Sequence, residues 1–211
     1  MSTGYGAPGM SAGRYIALEG AEGCGKSTQA ARLAEALGAV LTRETGGTAI
    51  GQRIRTILHD TAVTNLAPRA EALLTAADRA QHLAEVVEPA LGAGRHVVSD
   101  RSVYSTLAYQ GYGRELPLAE VREVNQWAIG GRWPDLVLLI DVDPAVLEQR
   151  MRGRELDRFE QEGDEFHQRV RDGFRAMATA DPTHWAVVDG SRAPDHVAAT
   201  IRSLVRDRLG V

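Results

Sequence analysis

The segment from Gly20 to Ser27 has the side chains and the spacing needed to hold a phosphate group. It reads Gly-Ala-Glu-Gly-Cys-Gly-Lys-Ser, which matches the G-x-x-x-x-G-K-[ST] pattern of phosphate-binding loops. Its three glycines let successive backbone N–H groups point at phosphate oxygens. Lys26 is spaced to reach the β- and γ-phosphates of a nucleoside triphosphate, and Ser27 to offer its hydroxyl to Mg²⁺. The predicted triphosphate site comprises Gly20, Ala21, Glu22, Gly23, Cys24, Gly25, Lys26, Ser27 and Thr28.

The residues on both sides of this loop have the pattern that the motif requires. Residues 14–19 are an apolar run of strand length. After the loop, Ala30, Leu33, Ala34 and Leu37 recur at helical spacing. A helix that begins near Lys26 directs its positive end toward the loop, which adds to the attraction for phosphate. This context favours phosphate binding over the alternative of a glycine-rich turn without a ligand.

Length and composition indicate one globular domain of ordinary charge. The chain has 211 residues and a formal net charge of −4, with acidic and basic residues interspersed. We find no basic block that would indicate nucleic-acid binding and no apolar run long enough to cross a membrane. Residues 1–13 are rich in Gly, Ser and Ala, which predicts a disordered leader before a single domain over residues 14–211. With Cys24 as its one cysteine, the chain has no internal disulfide, and we expect a cytoplasmic protein.

Five apolar segments of strand length alternate with segments of helical periodicity. The predicted strands cover residues 14–19, 39–43, 96–100, 136–141 and 185–189. This alternation predicts an α/β fold with a doubly wound, five-stranded parallel sheet and helices on both faces. Two of the helices carry apolar stripes, formed by Ile50, Ile54, Ile57 and Leu58 in one and by Ala70, Leu73, Leu74, Ala77, Ala80 and Leu83 in the other.

Polar residues end each predicted strand. They are Glu19, Arg43 with Glu44, Asp100 with Arg101, Asp141 and Asp189. Ligands of parallel sheets bind outside the carboxyl ends of the strands, so we expect these side chains to lie near the phosphate loop.

Arginines occur in excess of what one nucleotide needs. Some follow or flank the strands, including Arg43, Arg55, Arg79 and Arg101, and others cluster between Arg150 and Arg158. Because arginine suits bidentate phosphate recognition, the excess indicates a second phosphorylated substrate. We find no N-K-x-D guanine-reading motif, which argues against a GTPase.

Taken together, several segments resemble thymidylate kinases, the P-loop nucleoside monophosphate kinases that convert dTMP to dTDP in dTTP biosynthesis. The matching segments follow the family order and span nearly the whole chain: residues 18–29, 42–48, 73–79, 100–102, 105–111, 134–136, 157–160 and 166–170. The resemblance implies the P-loop nucleoside triphosphate hydrolase fold, ATP as phosphoryl donor, Mg²⁺ as cofactor and a homodimer.

The resemblance also implies roles for individual residues. Lys26, Asp100, Arg101, Arg150 and Arg154 would act in catalysis, and Ser27 and Asp100 would hold the metal. The implied dTMP site consists of Glu22, Glu44, Arg55, Thr75, Arg79, Arg101, Ser105, Thr106, Tyr109 and Gln110. Within it, Arg101 and Arg55 would contact the phosphate, Glu22 the sugar 3′-hydroxyl and Arg79, Thr106 and Gln110 the base, while Tyr109 would crowd the 2′ position.

The resemblance is to the bacterial type, whose catalytic arginines lie in a mobile lid. The loop positions Glu22, Gly23 and Cys24 carry no basic side chain, and residues 150–160 form the matching lid. Two positions depart from the family pattern. Thr45 stands where proline is usual, and Thr75 stands where a phenylalanine usually stacks on thymine.

Two other functions compete with a dTMP kinase. A nucleoside monophosphate kinase with a shifted base preference is motivated by Thr75. A nucleotide-binding regulator would keep the loop and use ATP as a switch. The intact set of Lys26, Ser27, Asp100 and Arg101, with the arginine-rich segment, favours catalysis.

Overall fold

The computed structural model describes residues 13–211. Of the predicted leader, residues 1–12 lie outside the described residues. The five strands are β1 (Tyr15–Glu19), β2 (Val40–Arg43), β3 (Val97–Asp100), β4 (Leu136–Asp141) and β5 (Trp185–Asp189). They form one sheet in the order β2-β3-β1-β4-β5, and every neighbouring pair is parallel. The predicted five-stranded parallel sheet is confirmed.

Helices connect the strands in chain order. They are α1 (Lys26–Leu37), α2 (Ala49–His59), α3 (Pro68–His82), α4 (Glu88–Gly92), α5 (Val103–Thr106), α6 (Leu118–Ala128), α7 (Pro144–Met151), α8 (Asp164–Ala180) and α9 (Pro194–Leu209). Two π-helical segments, Leu83–Val87 and Leu107–Gly113, continue α3 and α5 respectively. Among the helices of residues 13–211, none has both the length and the hydropathy to cross a bilayer.

Each face of the sheet is covered by its own hydrophobic core. On one face, Val137 and Leu139 of β4 belong to the same core as Phe166 and Phe174 of α8. On the other face, Leu138 of the same strand belongs to the core that includes α1 and α9. This alternation along β4 explains its unbroken apolar sequence, since both faces of a parallel sheet are buried.

Helix α3 buries a polar face and exposes part of its apolar stripe. Its buried residues are Glu71, Ala72, Thr75, Ala76, Asp78, Arg79 and His82. Leu73 is 57% exposed, and Ile50 of the neighbouring α2 is 52% exposed. Other members of the two stripes, Ile54, Leu58, Leu74 and Leu83, do belong to the core or pack against it. The inward face of α3 also supplies polar groups to the site described next.

Candidate active site

The loop between β1 and α1 has the geometry of an anion-binding turn. Gly20 has a φ of 143°, and a Cβ built there would lie 2.5 Å from the Ile140 carbonyl oxygen, so only glycine fits. Gly25 adopts a left-handed conformation as the N-cap of α1, and no side chain caps that helix. The first N–H groups of α1 thus remain available for a phosphate.

Lys26 and Ser27 lie at the start of α1, facing this loop. The Lys26 Nζ donates a hydrogen bond to the Ala21 carbonyl at 2.7 Å and lies 3.6 Å from the Cys24 Sγ. The Ser27 hydroxyl donates to the Asp100 carboxylate at 2.5 Å. A hydroxyl and a carboxylate side by side fit Mg²⁺, which takes one or two protein oxygens and completes its shell with water and phosphate oxygens.

Arg101 lies at the end of β3 and contacts the phosphate loop. Its guanidinium donates to the Gly20 carbonyl at 3.1 Å, the Ser105 hydroxyl at 3.0 Å and the Tyr109 hydroxyl at 3.0 Å. It also forms an ion pair with Glu22. With a φ of 75°, Arg101 is a non-glycine residue in the left-handed region, a strained conformation that is most often found at functional sites.

The Glu22–Arg101 pair is fully ionised at neutral pH. Burial raises the pKa of Glu22, but the positive charges of Arg101 and Lys26 outweigh it and lower that pKa to about 2. Burial lowers the pKa of Arg101, yet Glu22 and other nearby acids raise it well above its ordinary value. A phosphate that binds Arg101 would therefore compete with a carboxylate rather than with water.

Arg55 supplies a second cation beside this pair. Burial lowers the pKa of Arg55, and the like charge of Arg43 lowers it further. Across residues 13–211, neither arginine has a carboxylate within the distance of an ion pair, and Arg55 bonds only to Thr45, through its carbonyl at 3.2 Å and its hydroxyl at 3.5 Å. Crowded cations without acidic partners favour binding of a dianion such as a phosphate monoester.

Arg79 is held rigidly behind this region. Its three nitrogens donate to Glu44 at 2.7 Å, to Asn125 at 2.5 Å and to the Ser102 carbonyl at 3.1 Å. A guanidinium has five N–H groups, so these three bonds leave two for a ligand. Burial raises the pKa of Glu44, but Arg79 and His82 lower it below its usual range, so Glu44 is a carboxylate.

One cavity of about 580 Å³ joins these groups. Its lining contains most of the site residues predicted from sequence: Glu22, Gly23, Gly25, Lys26, Ser27, Thr28, Glu44, Arg55, Thr75, Arg79, Asp100, Arg101, Ser105, Thr106, Tyr109, Gln110 and Arg154. The cavity is therefore long enough to run from the phosphate loop to the polar face of α3.

Comparison with known proteins gives one consistent result. The thymidylate kinase family model matches residues 18–201. A thymidylate kinase of Bifidobacterium longum is 45% identical over 203 residues, covering 92% of this chain and 98% of the relative. That of Solidesulfovibrio magneticus is 46% identical over 204 residues, covering 90% and 98%.

The fold agrees with a solved structure as well. The crystal structure of thymidylate kinase from Ehrlichia chaffeensis superposes with a TM-score of 0.76 at 30% identity, covering 92% of this chain and 98% of that one. This chain belongs to the thymidylate kinase family.

A few residues assigned from the thymidylate kinase pattern lie outside the cavity lining. Gly20, Ala21 and Cys24 form the rear of the phosphate loop. Arg150, near the end of α7, donates to the carbonyls of Cys24 at 3.4 Å and Gly190 at 3.0 Å. In this conformation Arg150 supports the loop backbone, whereas Arg154 lines the cavity itself.

Several residues at the site were not assigned a role from the sequence. His59 bonds to Asp157 at 2.7 Å, and both line the cavity with Phe159. Asn125 and the fully buried Glu71 lie behind it and hold Arg79 and Gln110. Glu71 and Asn125 occur in helical segments whose periodic pattern is formed by apolar residues. The only sequence signal for a role at the site would have been a polar residue at a position that faces inward.

Proposed function

We propose that this protein transfers the γ-phosphoryl group of ATP to dTMP, giving dTDP, with Mg²⁺ as cofactor. The observation that carries the proposal is the single cavity, which connects a phosphate loop to a second cationic cluster and a polar base pocket. One triphosphate fits the loop, while Arg101 and Arg55 suit the phosphate of a monophosphate acceptor. Family membership supplies the identity of the acceptor.

The chemistry needs positioning and charge rather than a strong base. The acceptor is already a phosphate oxygen, so no side chain has to remove a proton from it. Lys26 and the N–H groups of α1 would hold the donor phosphates. Mg²⁺, held by Ser27 and Asp100, would neutralise charge on the donor phosphates.

The acceptor nucleotide would bind along the Arg101 side of the cavity. Its phosphate would replace Glu22 as the partner of the Arg101 guanidinium. The released Glu22 carboxylate is then free to accept a hydrogen bond from the sugar 3′-hydroxyl. Tyr109, bonded to both Arg101 and Glu22, would close the space beside the sugar.

The proposal is tested by incubating the purified protein with dTMP, ATP and Mg²⁺ and measuring dTDP and ADP by chromatography. We expect both products in equal amounts and none when EDTA removes the metal. ATP binding without dTDP formation would instead support the regulator hypothesis. Turnover of another monophosphate in preference to dTMP would support a shifted base preference.

Substituting Thr75 tests whether this position limits dTMP binding. The Thr75 hydroxyl donates to the Ala72 carbonyl at 2.8 Å and accepts from Thr106 at 3.3 Å, while the side chain lines the cavity. Base stacking on an aromatic ring is worth roughly 1–3 kcal/mol in nucleic-acid complexes. We expect Thr75→Phe to lower the KM for dTMP about tenfold with little change in kcat. Binding energy that is added equally to the ground state and to the transition state changes KM alone.

The control for Thr75→Phe is Thr75→Val, which removes the same hydroxyl without adding a ring. We expect no gain in dTMP affinity from this variant. An unchanged or raised KM in Thr75→Phe, together with a lower melting temperature, would mean that the ring overpacks a buried helix position and would reject the stacking hypothesis.

We also propose that the protein is a cytoplasmic homodimer. The family resemblance implies a dimer, and α2 and α3 present the exposed apolar side chains Ile50, Ile57 and Leu73. Exposed large apolar side chains on two neighbouring helices favour association. Sedimentation equilibrium should give twice the chain mass, and Leu73→Glu should shift the protein toward the monomer; a monomeric wild-type protein would contradict the proposal.

A further inference from the structure

Gln110 presents one defined end of its amide to the cavity. Its Nε2 donates to the Glu71 Oε1 at 2.8 Å. An ionised carboxylate can only accept hydrogen bonds, so this contact must use the NH₂ group of Gln110. Within residues 13–211 no hydrogen bond engages the Gln110 Oε1. Because Gln110 lines the cavity, that oxygen is an acceptor available to a bound ligand.

Glu71 keeps this orientation because its own charge is fixed. The side chain is fully buried and receives two hydrogen bonds from Arg114, both at 3.1 Å, and one from Arg158 at 2.6 Å. Burial raises the pKa of Glu71, but the hydrogen bonds from Arg114 and Gln110 outweigh it and hold that pKa below its usual range. A carboxyl group that stays ionised cannot become a donor to Gln110.

Glu71 does not line the cavity itself. It lies on α3 one turn before Thr75, and Arg158, which it binds, is the last arginine of the segment of residues 150–158. The side chain thus lies behind Gln110, which lines the cavity. Any influence of Glu71 on a ligand must pass through the residues that it holds.

We propose that Glu71 is a positioning residue that selects nucleobases with a ring N–H by fixing the Gln110 amide with its oxygen toward the base. This inference rests on the proposed function. Thymine carries a hydrogen on N3, which a carbonyl oxygen can accept. The N3 of cytosine is itself an acceptor, so it would face the same oxygen without a hydrogen bond, and an unpaired buried polar group is costly.

The decisive variant is Glu71→Gln, because it can reverse the Gln110 amide. The oxygen of the new side chain should take the place of the Glu71 Oε2, which accepts from two guanidinium groups, those of Arg114 and Arg158, whereas Oε1 accepts from Gln110 and the Arg114 Nε. Its NH₂ group would then face Gln110, whose amide must flip to accept from it. The flipped Gln110 presents its own NH₂ group to the base, which suits cytosine rather than thymine.

The measurement is the ratio of kcat/KM for dTMP to kcat/KM for dCMP, with ATP and Mg²⁺ saturating. We expect Glu71→Gln to lower this ratio at least about tenfold, the effect of reversing one buried hydrogen bond. The loss should appear mainly as a higher KM for dTMP. Glu85→Gln is the matched control, since Glu85 accepts from Gln81 at 2.8 Å in an exposed pair that is not part of the cavity lining; its ratio should equal that of the wild type.

A folded Glu71→Gln variant whose ratio stays within twofold of the wild type would overturn the inference. Where that variant does not fold, Gln110→Met tests the same step, since it removes the amide and leaves Glu71 with its two arginines. An unchanged ratio in Gln110→Met would equally overturn it. Absence of dTMP turnover by the wild-type protein would instead contradict the proposed function, and dissociation constants of dTMP and dCMP for the two variants would then still test the role of Glu71.

Discussion

Replacing Lys26 by alanine is expected to lower the kcat for dTMP phosphorylation by about 10³-fold or more while the protein stays folded. Loss of a single neutral donor to a developing charge costs about 10²–10³-fold in other enzymes, and Lys26 carries a full charge. Among residues 13–211 its Nζ forms hydrogen bonds only to the Ala21 carbonyl and the Cys24 Sγ, both in the same loop. Its removal therefore leaves the connections between secondary-structure elements unchanged.

Single-turnover kinetics and a melting curve on Lys26→Ala check this expectation together. Lys26→Arg is the control for charge alone; the bulkier, planar guanidinium should recover little activity in a loop shaped for an ammonium group. Retention of more than a tenth of wild-type kcat in Lys26→Ala would contradict a role in phosphoryl transfer. A large fall in melting temperature would mean that the loss reflects misfolding.

Lys26 offers an independent test of where ATP binds, since it is the only lysine in the sequence. An amine-reactive reagent can label only its Nζ and the α-amino group. Bound ATP should protect Lys26 and leave the α-amino group reactive, so the second site is an internal control. Equal labelling with and without ATP would place the triphosphate elsewhere.

The sheet could be predicted almost completely from sequence, because parallel strands buried on both faces are nearly uniformly apolar. The segments at residues 136–141 and 185–189 match β4 and β5 residue for residue. The other three strands start one residue later than predicted. Ligands bind at the carboxyl ends of such strands. The order of strands and polar residues along the chain was therefore enough to predict that Ser27, Asp100 and Arg101 lie close together.

The apolar stripe of α3 shows where periodicity fails. Leu73 and Ala77 repeat at helical spacing, but the chain turns them outward and buries Glu71, Asp78 and Arg79. Burial of charged groups costs free energy unless each is paired, and here Arg79 is paired with Glu44 and Glu71 with Arg114. Those partners are 35 and 43 residues away in sequence. No local pattern indicates such pairs, which explains why Glu71 and Asn125 were not predicted.

The difference between Arg150 and Arg154 likewise depends on tertiary structure. In sequence they are two of four arginines between residues 150 and 158 and cannot be ranked. The fold ends α7 at Met151, so Arg150 remains on the helix and contacts carbonyls of Cys24 and Gly190. Arg154 lies beyond the helix end, where it lines the cavity.

Replacing Arg154 by alanine is accordingly expected to lower kcat about 10³-fold with little change in the KM for dTMP. The phosphate loop has no basic residue at Glu22, Gly23 or Cys24, so we expect positive charge beyond that of Lys26 to reach the transferred phosphoryl group from another element. An arginine that arrives at the transition state is worth about 10³–10⁵-fold in kcat in other phosphoryl-transfer enzymes. Arg154 is 53% exposed, and within residues 13–211 its side chain has only a long contact to Glu160 at 3.7 Å and one to the Met151 sulfur at 3.2 Å, so little holds the guanidinium in one position.

Arg152→Ala is the matched control for Arg154→Ala. Arg152 lies two residues away, is 73% exposed and pairs at 3.1 Å with Glu148 of α7, the helix that ends just before it. It is not part of the cavity lining. An exposed pair of this kind contributes little to stability, so its removal should leave kcat and KM near the wild-type values.

Equal losses in kcat and in dTMP affinity in Arg154→Ala would mean that Arg154 binds the acceptor in the ground state. Equal losses in the two variants would mean that the charge of the segment matters rather than the position of one guanidinium. A fall in kcat confined to Arg154→Ala is what a donor that acts only in the closed state requires, because interactions made solely in the transition state change kcat and kcat/KM together.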